Sequence, residues 1–315
     1  MGGMLLPPVQ DTHGIQLPPR YTIRPIDAGV ADWAKALAVQ GFLLGPSIWS
    51  PLMAAPKTRS ALRAFGALHG YYMHAVESGV SYGVFDSEYE FARPESKSTS
   101  AAAAAAASNG DTSINGNENG TKYEPSGGDV YWHELDPDAD PDFETGGGAQ
   151  RMVEGMDFPL VCVALSCDLA GKPGPDIVEA LHAFFPLQRG VSQYWRDRDP
   201  RPKGTWEPSG VGEVCARMGC VTKPEYQGRG LMSALNHFVM LDLKARGFRA
   251  MNAGIGVPSV YRNWMNAPAG CRSHAYLDLN ILEIEVEDDD GRKVKPYADS
   301  GMDKEGWLMW CDLNV

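Results

Sequence analysis

The sequence predicts an α/β fold. Three observations predict it. Short segments of alternating or continuous apolar character read as strands. Segments with apolar residues one helical turn apart lie between them. A Gly-rich turn at 227–230 joins one strand directly to a long helix.

Tyr21 to Ile26 alternates like a short strand and precedes Asp27, a possible N-cap. Ala28 to about Gln40 reads as a helix, with Trp33 and Leu37 one turn apart. Residues 57–78 place Ala61, Phe65, Leu68 and Tyr72 on one helical face. Val80 to Phe85 is a strand. Residues 92–128 then change character, with a run of alanines from Ala101 to Ala107 followed by Ser, Asn, Gly and Asp. Such a segment buries too little to offset its ordering entropy, so a disordered insertion is expected there. Val130 to His133 and a proline-broken acidic loop, Asp136 to Glu144, come next. Leu160 to Leu165 is a buried strand. Pro175 opens a helix that runs to about 195, with Ile177, Leu181 and Phe184 behind it. Glu213 to Val221 is a strand, 224–230 a turn, and the helix after it ends at Gly247. Phe248 to Ala253 is a strand, and Pro258 opens a short helix carrying Tyr261. Ala275 to Val286 and Lys293 to Tyr297 flank a hairpin turn at Asp290-Gly291, and Gly306 to Leu313 is a final strand. The expected organisation is a flexible tail at 1–20 and one domain over 21–315.

The chain has 315 residues, 43% hydrophobic and 22% charged, with a net charge of −12. An acidic chain without a basic patch does not suit a nucleic-acid partner. No apolar run approaches the roughly 18 residues of a membrane span. The N-terminus lacks the basic and apolar regions of a signal peptide, so a cytoplasmic location is expected and the sequon at Asn119 goes unglycosylated. Leu6 stands where N-myristoylation wants Ser or Thr. The six cysteines include two pairs five apart, Cys162 with Cys167 and Cys215 with Cys220. Odd spacing on a strand sends two side chains to opposite faces, so reduced thiols and no metal site are expected.

Several motifs fail in context. Gly79-Val80-Ser81-Tyr82-Gly83 matches the serine-hydrolase elbow, but a helix precedes it and a strand follows, the reverse of what the elbow needs. His133-Glu134 has no second histidine at metalloprotease spacing. Asp136, Asp138, Asp140 and Asp142 begin like a calcium loop, yet Pro141 and Gly147 stand where glycine and glutamate belong.

The turn at 227–230 carries more. A strand feeding glycines that open a helix presents backbone N–H groups at a helix N-terminus, a site suited to pyrophosphate. Val221-Thr222-Lys223-Pro224-Glu225-Tyr226-Gln227-Gly228-Arg229-Gly230 resembles the signature of the GNAT N-acetyltransferase superfamily, Gln/Arg-x-x-Gly-x-Gly/Ala. Gln227 and Gly230 match its first and fourth positions; Met232 departs at the sixth. The order of elements over 21–315 is also similar, with a layout reminiscent of the arylalkylamine-type branch.

The resemblance implies a mixed, mostly antiparallel central sheet, flanked by helices and splayed at strands four and five, and an acetyl-CoA cosubstrate. Val221 and Thr222 would pair with the pantetheine arm, and Gln227, Gly228, Arg229, Gly230, Leu231 and Met232 would hold the pyrophosphate. Glu213 is the implied general base, or else a solvated strand-end carboxylate. Tyr261 is the implied proton donor to the thiolate, or else a packing residue, with Ser259 in reserve; the Gly-Phe that usually follows the tyrosine is absent. Tyr131, Trp132, Trp195 and Trp206 near the acidic loop would suit a cationic or aromatic amine, or else pack under the long loops. The implied function is acetyl transfer to a small-molecule amine by direct attack. A non-catalytic acyl-CoA or protein binder and a protein-amine acetyltransferase are the alternatives.

Overall fold

The computed structural model describes residues 13–45, 47–53, 55–96, 130–202, 204–288 and 290–315. Seven strands form the main sheet: β1 (Tyr21–Pro25), β2 (Tyr82–Asp86), β3 (Leu160–Asp168), β4 (Val214–Thr222), β5 (Ala250–Ile255), β9 (Glu305–Asp312) and β6 (Arg272–Asn280), in that spatial order. Every neighbouring pair is antiparallel except β4–β5, which is parallel. The expected mixed, mostly antiparallel sheet is what forms.

Helices cover both faces. On one, α1 (Ala31–Val39), α2 (Lys57–Ala67), α3 (His69–Glu77), α5 (Pro175–Phe184) and α6 (Gln188–Arg198) lie over a core that includes Trp33, Leu37, Phe65, Tyr72, Val163 and Leu165. On the other, α7 (Leu231–Ala245) and α8 (Pro258–Met265) pack Leu235, Phe238, Val239 and Trp264 onto Val161, Cys162, Met251 and Met309. Burial of both sheet faces explains the nearly unbroken apolar run of β3. A short helix α4 (Gly148–Glu154) precedes β3.

Several elements differ from expectation. The single helix expected over 57–78 is two, broken at Leu68 (φ −93°, ψ 17°), whose side chain is buried between them. The helix expected over 175–195 is also two. Pro186 disfavours a helical Phe185, which adopts φ −127° and ψ 72°. Helix α1 runs on as a wider π-helical turn, Gln40–Leu44. The hairpin at Asp290-Gly291 exists, but it joins two-residue strands, β7 (Val286–Glu287) and β8 (Lys293–Val294). The long strand before it, β6, pairs instead with β9, which inserts between β5 and β6.

Of the insertion expected at 92–128, residues 97–128 lie outside the described residues. Its first five residues are built into the fold, because Asp157 accepts hydrogen bonds from Ala92 N, Arg93 N and Ser96 Oγ. Of the expected tail, 1–12 lie outside the described residues, while Ile15 and Leu17 pack against the α7–α8 core. In the acidic loop Asp138 pairs with Arg59 and Arg63, and Asp140 pairs with Arg151. Glu144 accepts from Thr58 N at 2.9 Å, capping α2. Ser81 of the elbow-like motif is buried and donates to backbone carbonyls, so it is no nucleophile.

Candidate active site

Strands β4 and β5 pair only from Val214–Ala250 to Ala216–Asn252. Beyond Ala216 they part: β4 stays paired with β3 as far as Thr222, and β5 stays paired with β9 as far as Ile255. The facing edges therefore present backbone N–H and C=O groups with no strand between them, a place for an extended ligand. Where the strands part, β4 bulges. Arg217 pairs with Ser166 and Gly219 with Leu165, leaving Met218 between them unpaired.

The bulge reverses the alternation of side chains. Cys215 packs on the α7 face, and Thr222 reaches the same face, where its Oγ1 lies 3.2 Å from Cys162 Sγ. Cys220 shares that side, so the opposite-face expectation for Cys215 and Cys220 does not hold. All six cysteines are free, and burial raises Cys162 and Cys215 to about 12. No cluster of potential metal ligands occurs among the described residues.

The signature turn closes the open end of this cleft. A 3-10 turn, Pro224–Tyr226, leads to Gly228 (φ +74°) and Gly230 (φ +77°), and Gly230 is the N-cap of α7. No atom lies within 4 Å of where a Cβ would stand at either glycine. Their need is therefore the left-handed backbone and not space. The amides of Leu231, Met232 and Ser233, in the first turn of α7, have no carbonyl to bond within the helix.

Side chains on three sides anchor the turn. Lys223 Nζ donates to the carbonyls of Met156 (3.1 Å) and Phe158 (2.8 Å). Burial takes its pKa down to about 8. Tyr226 Oη donates to Asp86 (2.8 Å), which also accepts from Arg20 Nε (2.8 Å). Burial alone would raise the Asp86 pKa, but the bonds from Arg20, Tyr226 and Glu88 N take it below the ordinary value. Arg229 donates to Tyr21 Oη and to the Glu225 carbonyl.

A cavity of about 670 Å³ follows the turn and the cleft. Val221, Thr222 and every residue from Gln227 to Ser233 line it, with Gln40 and Gly41 on one side and Ser259, Val260 and Asn263 of α8 on the other. The cavity thus brings together all eight residues expected to hold the cosubstrate. Met232 lines it while also packing partly against the core. A smaller cavity of about 120 Å³ adjoins at the bulge and includes Phe42, Trp49, Arg217, Gly219 and Trp264. The Phe42 ring lies directly on the β4 backbone at Gly219, where any Cβ would fall inside the ring.

The expected catalytic set is not brought together. Ser259 lines the larger cavity. Tyr261, two residues on, lines neither cavity; it stacks on Trp307 of β9 with ring centroids 4.2 Å apart. Glu213 precedes β4 at the closed end of the parallel pair. There it accepts from Ser209 N and lies 3.6 Å from Arg249 Nε, and these partners lower its pKa. It lies outside both cavities because the strands open in the other direction. The four aromatics do not converge either. Trp132 is buried against Phe65, Tyr131 lies under Arg93, and Trp206 packs near Arg201. Trp195 lines neither cavity, though its ring lies 3.4 Å from where a Cβ at Gly254 of β5 would stand. Sequence reasoning missed Lys223, Tyr226, Asp86 and Arg217. For Arg217 and Lys223 the available signal was a lone cation within or beside an apolar strand.

No family model matches the sequence, and no curated protein matches it. Solved structures do resemble it. The C-terminal condensation domain of Ebony, in complex with beta-alanyl-dopamine, superposes with a TM-score of 0.54 at 12% identity, covering 92% of this chain and 98% of that one. A putative arylalkylamine N-acetyltransferase 7 from Aedes aegypti gives 0.48 at 10% identity over 93% and 88%. Arylalkylamine N-acetyltransferase 2 from the same mosquito gives 0.47 at 11% identity over 93% and 99%. The strand order, the parting of β4 from β5 and the glycine turn that opens α7, together with the likeness to the Ebony domain, give this chain the GNAT-like fold that the sequence implied.

Proposed function

We propose that the chain is an acetyl-CoA-dependent N-acetyltransferase acting on a small-molecule amine. The observation that carries this reading is the run of two adjoining cavities, the larger from the helix N-terminus at Gly230 along the unpaired edge of β4 to Cys220, and the smaller from Cys220 to the bulge at Met218. A pyrophosphate suits the first-turn amides of α7. A pantetheine arm suits the open edge at Val221 and Thr222, and a strand N–H near the bulge suits the thioester carbonyl as negative charge develops on it. The named ligand of the Ebony domain, beta-alanyl-dopamine, joins an acyl group to an aromatic amine, which agrees with amine acylation.

Proton handling follows from what lines the cavities. Neither is lined by a carboxylate or a histidine among the described residues. The incoming ammonium therefore loses its proton to water, and Glu213 plays no part in that step. Ser259 and Asn263 are the side chains that can hydrogen-bond the departing sulfur from α8. Tyr261 serves α8 by stacking on Trp307.

A second reading, acyl-CoA binding without transfer, draws on the same position of Tyr261. An assay of CoA thiol release separates the two. With acetyl-CoA and a panel of arylalkylamines, alkylamines and polyamines, amine-dependent release supports the enzyme. Binding of acetyl-CoA with no release above hydrolysis for any amine supports the binder.

A further inference from the structure

Arg217 is a cation in an unusual place. Its residue is 9% exposed, on the strand where the cleft begins. Its Nη2 donates to Asn236 Oδ1 of α7 at 3.2 Å, while Nε and Nη1 are buried with no hydrogen-bond partner. The ionisable groups around the guanidinium are the thiols of Cys220, Cys215 and Cys162, and burial raises the pKa of each, so they stay neutral. A guanidinium held away from water without a counter-charge is destabilised, so an anion is wanted there. Among the described residues, two other arginines have buried nitrogens without a partner: Arg201 is paired with Asp199, and Arg24 lies 5.0 Å over the Phe85 ring, and neither lines either cavity.

The place of Arg217 says what that anion belongs to. Its bond to Asn236 puts the side chain on the α7–α8 face, from which Val260 and Trp264 line the smaller cavity together with Arg217. Asn236 Nδ2 in turn donates to Asn263 Oδ1 at 3.1 Å, and Asn263 lines the larger cavity. The guanidinium therefore stands where the strands part, two hydrogen bonds, through Asn236, from the helix α8 that flanks the sulfur end of the cleft. The pyrophosphate site lies at the other end, beyond Thr222. A phosphate held there does not reach Arg217.

We propose that Arg217 recognises a carboxylate carried by one of the two substrates, at the far end of the acyl group or on the acceptor amine. This rests on the acyltransfer reading above. Guanidinium is the side chain best matched to a carboxylate, and Asn236 fixes its orientation.

Two arms distinguish the sources. In the first, calorimetry compares acetyl-CoA with malonyl-CoA and succinyl-CoA on the full chain. In the second, turnover with acetyl-CoA compares tyrosine with tyramine and tryptophan with tryptamine. An acyl carboxylate predicts the dicarboxylyl esters binding about ten- to a hundredfold more tightly than acetyl-CoA; an acceptor carboxylate predicts a similar preference in kcat/KM for the amino acids. Either preference should fall to about one in Arg217→Met, and Arg217→Gln serves if that variant does not fold. Acetyl-CoA binding with no preference in either arm overturns this proposal and leaves the acyltransfer reading standing. A preference that survives in a folded Arg217 variant also overturns it. Binding of no CoA ester overturns both.

Discussion

Replacing Lys223 with methionine tests how the signature turn is anchored. The Nζ sits over the rings of Phe158 and Tyr89, at 4.2 and 4.8 Å from their centroids, and bonds only to the two carbonyls of Met156 and Phe158. Burial lowers its pKa from 10.5 to about 8. That difference corresponds to about 3 kcal/mol, by which folding disfavours the charged amine. The sign follows from proton counts. Between pH 8 and 10.5 the unfolded chain binds the proton that the folded chain has released, so this group's contribution to stability rises with pH across that window. Below pH 8 the penalty is present in full.

Methionine removes the penalty but leaves two buried carbonyls unpaired, at a cost of roughly 1–3 kcal/mol each. The variant should therefore lie within a few kcal/mol of wild type at pH 7. It should fall behind by about 3 kcal/mol more at pH 10.5. Buried thiols act oppositely in both proteins. Burial raises Cys162, Cys215 and Cys311 to about 12 and Cys167 to about 11, so absolute stability declines above the ordinary thiol value near 9. The difference between the two proteins cancels that decline. Urea unfolding of both at pH 7, 9 and 10.5 reads it directly. A difference that stays constant across these values would refute the claim that Lys223 is desolvated under the turn.

Four further outcomes are expected. Gly219→Ala places a methyl inside the Phe42 ring, so it should cost about 1–3 kcal/mol in chemical unfolding and move Phe42 out of the cleft, read by near-ultraviolet dichroism. With no base lining the cavities, kcat/KM for an amine should rise about tenfold per pH unit up to the amine's own pKa, and an earlier plateau would reveal an unseen base. Glu213→Gln should leave that profile unchanged in a stopped assay; a flattened profile would return Glu213 to the mechanism. Ser259→Ala should lower kcat roughly ten- to a hundredfold, whereas Tyr261→Phe should stay within about twofold, and the reverse order would mean that Tyr261 turns into the cleft during turnover.

Much of this was legible in the chain. Strand and helix types followed from apolar period, and the turn at Gly228 and Gly230 was legible because its two left-handed residues must be glycine. What escaped has physical reasons. Apolar alternation marks β9 as a strand but not its neighbours, so its insertion between β5 and β6 was hidden. The bulge at Met218 is a property of pairing with β3, and it altered which thiols share a face. The role of Tyr261 was implied by the resemblance, but one helical step decides between the cleft and Trp307. Pro186 did announce the break after Phe184, and Arg217 and Lys223 announced buried cations. Those three signals were present in the residues and carried no weight until packing gave them neighbours.

The most direct test of the central claim is calorimetric titration of acetyl-CoA into the wild-type chain and into Gly230→Trp. The claim is that the turn capping α7 and the parted strands form one acyl-CoA site. That variant strains the left-handed N-cap and sets an indole beside the cavity, while the absence of atoms around the glycine leaves the core untouched. Wild type should bind acetyl-CoA one-to-one with low-micromolar affinity, and the variant should lose that binding while still melting cooperatively. Absence of binding to wild type, or equal binding by both, would contradict it.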